Sequence, residues 1–184
     1  MKVLITCIAF GFLLSCSQKL HMSKVDKSIV GLINHEHERK VGIKNTSSFK
    51  SYDHRIYEVR SKAVRLFGIE VDTSKVTQFI VWDVVSFGGG GIDGKMILDD
   101  SLYYNYTASY RLGNGVAKSD NPLLPGNTDS VIEKYLKDHK FKELETLANE
   151  KGKTLSGSNF FYIGMYEKGM DSIYVNMLPA FIMN

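Results

Sequence analysis

Cysteine, proline and tryptophan are all scarce: 2, 3 and 1 in 184 residues. Cys7 lies in an apolar N-terminal stretch and Cys16 just after it, so residues 17–184 carry no thiol. A disulfide framework and a cysteine nucleophile are thereby excluded from the body of the chain, whose stability must come from packing. No apolar run is long enough to span a bilayer. The best, Val3 to Leu14, falls short of the roughly 20 residues a spanning helix needs. Blocks of like charge are absent too. From Lys19 to Arg65 there are 11 basic and 5 acidic residues, and from Leu66 onward 11 and 15. The basic excess is interleaved with acids and lacks the clustering of a nucleic-acid footprint, so no nucleic-acid partner is expected.

Familiar catalytic signatures are missing as well. There is no Gly-x-Ser-x-Gly and no His-Glu-x-x-His. Gly88-Gly89-Gly90-Gly91-Ile92-Asp93-Gly94 follows an apolar stretch, but Gly94-Lys95-Met96 departs from the Gly-Lys-Ser/Thr of a phosphate loop and leads into another strand pattern, so a hairpin loop is expected. His35-Glu36-His37-Glu38 places two histidines at alternate positions with no third ligand nearby, which reads as solvated polar chain and not as a metal site. No catalytic residue, metal site or cofactor is expected.

What is present begins at the N-terminus. Lys2, the apolar run and a small residue, Ser15, have the form of a secretory signal. The tetrapeptide Leu13-Leu14-Ser15-Cys16 resembles the lipobox of bacterial lipoproteins. The resemblance implies that Cys16 is acylated and becomes the first mature residue, so that membrane lipid is one partner. Ser17 after it implies, by the enteric sorting rule, an outer-membrane lipoprotein. The domains expected are a signal peptide (1–15), a lipidated tether (16–50) with a short element at Val25–Ile33, and one folded domain (51–184).

Within 51–184 the patterns alternate. Tyr52, Ile56, Val59, Ala63 and Leu66 recur at helical spacing, with Arg55, Glu58, Lys62 and Arg65 opposite and Gly68 as the stop. Val76–Phe87 is apolar on both faces of an extended strand, apart from Asp83, which must find a basic partner, a backbone donor or solvent. Lys95–Leu112 reads as one or two strands, broken near Asp99-Asp100-Ser101. Leu102, Tyr104, Tyr106, Ala108 and Tyr110 take one face, and Tyr103, Asn105, Thr107, Ser109 and Arg111 the other. This second, polar face is the candidate binding surface. Gly113–Thr128 reads as a long loop whose acids and amides are turn residues. Ser130–Lys151 reads as a helix opened by a Ser130/Glu133 capping box and breaking near His139. Phe160–Tyr166 and Ile173–Phe181 flank a turn.

The expected fold is α+β: a four-stranded antiparallel sheet packed with two helices, in the order helix, hairpin, helix, hairpin. The expected function is a lipid-anchored binding or interaction module of the cell envelope, of inhibitor or immunity type, with an envelope protein or glycan as partner. The alternatives are an envelope hydrolase pairing Asp83 with Asp99 or Asp100, and a passive structural lipoprotein.

Overall fold

The computed structural model describes residues 28–40, 50–86, 91–109, 115–120, 123–124, 126–152 and 160–183. The chain is α+β, and richer than the expected pattern. Among the described residues, four helices, α1 (Ile29–Lys40), α2 (Lys50–Phe67), α3 (Thr128–Lys137) and α4 (Phe141–Lys151), accompany six strands. The strands are β1 (Gln78–Ser86), β2 (Gly91–Leu98), β3 (Leu102–Ala108), β4 (Val116–Lys118), β5 (Phe160–Glu167) and β6 (Tyr174–Pro179). They form one sheet of order β4-β3-β2-β1-β5-β6, antiparallel at every step.

β1 is central, as its two-sided apolar pattern requires. Phe79, Val81 and Val85 face the core beneath α1 and α2. Ile80 and Trp82 face the core beneath α3 and α4. The sheet is thus sandwiched between two helical layers, and β1–β5 pairing joins the N-terminal meander to the C-terminal hairpin.

Two helices and two strands exceed the four-stranded expectation. α1 lies within the segment assigned to the tether, yet Ile29, Val30, Ile33 and His37 are buried. Its signal is weak because only three of those four are apolar and the remaining turns are polar. β4 is a three-residue strand inside the expected 113–128 loop, too short for alternation to show. The break near His139 is a full separation of α3 from α4. His139 takes a left-handed φ of 55°, and the amides of His139 and Lys140 close on the carbonyls of Leu136 and Tyr135, which ends a helix at a non-glycine residue. Ser130 is no N-cap, since α3 begins at Thr128 after Asn127.

The expected turn at 88–94 is shorter, because Gly91–Gly94 already belong to β2; residues 87–90 lie outside the described residues. Between Leu98 and its partner Leu102, which close the β2–β3 ladder, Asp99 (φ 48°) and Asp100 (φ 63°) both adopt positive φ, and the Ser101 amide bonds the Leu98 carbonyl at 3.3 Å, a left-handed turn of the kind asparagine and aspartate tolerate. The Asp99 carboxylate accepts from the amides of Thr77 and Gln78 at 2.8 and 3.0 Å, which fixes that turn to the start of β1. Two core assignments fail. Leu66 and Leu102 are 40% and 49% exposed, whereas Arg60 of α2 is fully buried.

Gly164 explains how α1 reaches the sheet. A Cβ there would overlap Ile33 Cγ2, so the bare backbone of β5 is the seat of the helix. Gly164→Ala is expected to cost about 1–3 kcal/mol through overpacking. In a denaturation cycle with Ile33→Ala the two losses should sum to more than the loss of the double variant, because the clash disappears. Strict additivity would show that α1 does not rest on Gly164.

Candidate functional site

One row of paired residues crosses the sheet: Met177, Tyr162, Asp83, Gly94, Tyr106 and Lys118. Asp83 sits in its middle, 0% exposed. The partner it needs is Arg60 of α2, whose Nε lies 2.6 Å from Asp83 Oδ2 with both side chains fully buried. Arg60 also donates to the Tyr162 carbonyl at 2.9 Å and to Asn34 Oδ1 at 3.3 Å. The Tyr106 hydroxyl donates to the other Asp83 oxygen. It can do so because Gly94 has no side chain; a Cβ there would occupy the Tyr106 ring.

Burial pushes the Asp83 carboxyl above its ordinary 3.8, while the Arg60 charge and the Tyr106 hydroxyl pull it back toward the carboxylate. Burial first, and then the facing Asp83, hold the Tyr106 phenol well above 10, so it stays a donor. With both acceptor oxygens and all three Arg60 nitrogens engaged, these charges are sealed and saturated. Arg60 was legible in one respect: it lies four residues after Ile56 and three before Ala63, on the apolar stripe itself.

The hydrolase pairing does not form. Asp83 is locked to Arg60, whereas Asp99 caps the start of β1 and Asp100 pairs with Lys137 at 3.0 Å. The two histidines of the His35–His37 pair diverge on α1: His35 is exposed and His37 buried. Among the described residues, no group of three potential ligands gathers around a metal position. Asp129, within the polar 113–129 region, accepts from Trp82 Nε1 (3.3 Å) and from the Leu123 amide (3.0 Å). It acts as a structural clamp from the first turn of α3, not as a turn residue.

The candidate binding face has the expected register. Tyr104, Tyr106 and Ala108 pack in the core beneath α1 and α2. Tyr103, Asn105 and Thr107 point to the other side, opposite Ile97, Lys95 and Asp93 of β2. Tyr103 is 49% exposed, and Asn105, Thr107 and Ser109 are half-buried. Arg111 lies outside the described residues, as does Tyr110. α3 borders this face. The Tyr103 hydroxyl donates to Glu133 at 2.9 Å, and Lys137 pairs with Glu133 at 2.8 Å. Lys95 Nζ stands 5.3 Å from the ring centres of both Trp82 and Tyr103. The bond to Glu133 raises the Tyr103 phenol above 10. The arrangement offers an aromatic face held by fixed hydrogen bonds, with amide and hydroxyl groups beside it. No sequence signal pointed to Lys95, Glu133 and Lys137, because they come together only through the approach of α3.

No family model, curated protein or solved structure matches the chain.

Among the histidines whose side chains are described, His37 is the buried one. Its Nε2 meets the Ile163 carbonyl at 2.7 Å, and its Nδ1 is buried with no hydrogen-bond partner. Burial, aided by the nearby Arg60 charge, holds it well below 6.5, hence neutral. Unfolded His37 takes up a proton below 6.5 that the folded ring refuses, so stability falls as pH drops through that value. Below 6.5 the expected slope approaches about 1.4 kcal/mol per pH unit for as long as the folded ring stays neutral. Urea denaturation of His37→Gln, which keeps a donor for Ile163, should lose this component. An unchanged slope would assign the acid sensitivity elsewhere.

Proposed function

We propose that the protein is a lipid-anchored binding or interaction module of the cell envelope, tethered through acylated Cys16 and engaging an envelope protein or glycan through the face of Tyr103, Asn105 and Thr107. The observation that supports this most is the distribution of its chemistry. The charged pair at the centre of the fold, Arg60 and Asp83, is entirely buried, while the aromatic and amide groups suited to recognition lie on a strand face that is exposed or half-buried. Tyrosine supplies a large contact area at low entropy cost, and a few such anchors carry most of a binding energy. Helix α1 begins at Ile29, so the folded body starts soon after the lipidation motif and remains close to the anchor.

Two measurements test the parts separately. Fatty-acid labelling should mark the wild-type chain and vanish in Cys16→Ser, which should also leave the membrane fraction. Label retained by Cys16→Ser removes the anchor. Affinity capture from native envelope with cross-linking should enrich one partner or glycan class, and Tyr103→Ala should weaken that capture about tenfold, equivalent to about 1.4 kcal/mol. Equal capture by folded wild type and Tyr103→Ala would move the binding surface elsewhere.

A further inference from the structure

Among the described residues the large apolar side chains most exposed are Leu66, Leu102, Tyr103 and Ile182, and the two leucines share one end of the sheet. Leu102 begins β3 opposite Leu98, the last residue of β2. Leu66 lies at the end of α2, beside Phe67, whose ring is 4.9 Å from that of Tyr104. Leu98, Tyr104 and Phe67 are half-buried, so Leu66 and Leu102 extend an apolar edge that the core leaves incomplete. Exposed Arg65 borders it, and Lys118 Nζ stands 5.2 Å over the Phe67 ring.

The chain enters the fold at this same end. Ser28 bridges Asp72 in the connection before β1, and the Ile29 amide bonds the Val71 carbonyl at 2.9 Å. From there α1 runs back along β5, with Ile33 over Gly164 and His37 at Ile163. Cys16 precedes Ser28 by only twelve positions. A chain of that length reaches about 40 Å at full extension and averages about 20 Å when flexible. An acylated Cys16 at the average separation would therefore favour this end over the opposite one as the part nearer the bilayer.

The acids at this end are already committed to the fold. Asp99 caps β1, Asp100 pairs with Lys137, Glu70 pairs with Lys75, and Asp72 accepts from the Ser74 amide at 2.8 Å. The exposed charge around the apolar edge is mixed, with Arg65 and Lys118 beside Glu70, Asp72, Asp99 and Asp100, so it is the leucine side chains that suit the acyl boundary.

We propose that Leu66 and Leu102, backed by Phe67 and Leu98, form an edge that rests in the interfacial layer of a phospholipid bilayer and orients the tethered domain. The proposal rests on the lipid-anchor reading. Contact by two leucines is weak for a free protein, but a short tether makes it effectively intramolecular and keeps it populated. The domain then stands with its anchor end down. The opposite end, where β1 passes into β2, points away from the membrane.

The chain's own cysteine use makes the test clean. With Cys7 in the signal and Cys16 acylated, a cysteine introduced elsewhere is the only free thiol. Lipidated full-length protein carrying Leu66→Cys, Leu102→Cys or, as a control on α4, Glu150→Cys would be labelled with an environment-sensitive fluorophore and reconstituted into phosphatidylcholine vesicles containing brominated lipid. The labels at 66 and 102 should be quenched several-fold more than that at 150. Ser101→Cys in a Leu66→Asp/Leu102→Asp background should still sediment with vesicles but lose its quenching. If the protein sediments and the three labels quench alike, the edge is not a membrane contact although the anchor stands. If it fails to sediment, the anchor reading falls and the proposal with it. Shielding of residue 102 that grows with protein concentration in the absence of vesicles would assign the edge to a second copy of the chain and overturn the proposal.

Discussion

A charge pair with no access to water organises this fold. Arg60 and Asp83 belong to different layers, and each is tolerable inside only because the other is there. The pair draws in one residue from nearly every element around it. Tyr106 comes from β3, the Tyr162 carbonyl from β5, and Asn34 from α1. The arrangement also constrains register. Gly94 must lie between Asp83 and Tyr106, because any side chain there would fill the space of the tyrosine ring. A one-residue slip of β2 would bring Asp93 or Lys95 to that point and invert its faces.

Sequence patterns revealed the elements whose signals are local. The doubly apolar strand, the alternation along 102–108, the break at His139 and the closing hairpin all follow from the periodicity of a single segment. What escaped notice depends on contacts between segments. α1 has few apolar residues, and it belongs to the core because Gly164 lets Ile33 settle on β5. β4 has three residues and exists because β3 offers an edge. Arg60 interrupts an apolar stripe, and only the requirement of Asp83 for a cation explains its position. Conversely, Leu66 and Leu102 fit their stripes but lie beyond the reach of the layers that those stripes cover. The candidate face was legible as an alternation, yet its lysine and glutamate neighbours on α3 were not, since no spacing links Tyr103 to Glu133.

The same division bears on function. Charged groups brought close together in a fold are the usual place to seek chemistry, but here the closest set is saturated by its own hydrogen bonds and cut off from solvent. Its role is architectural, and the proposed recognition falls to the surface. A rigid sheet with helices on both sides is well suited to that, because side chains on strands are held more firmly than those on loops. The outward side chains of β3, steadied by α3, are positioned by the same β1–β2–β3 register that the buried pair requires.

That dependence is most directly tested by equilibrium unfolding of Arg60→Met, Asp83→Leu and the double variant. If the pair organises the fold, each single change strands a buried charge and costs about 3–5 kcal/mol, while the double variant recovers most of that loss. If Arg60→Met instead costs no more than a surface substitution, about 0.5 kcal/mol, the ion pair is incidental and the central claim is wrong.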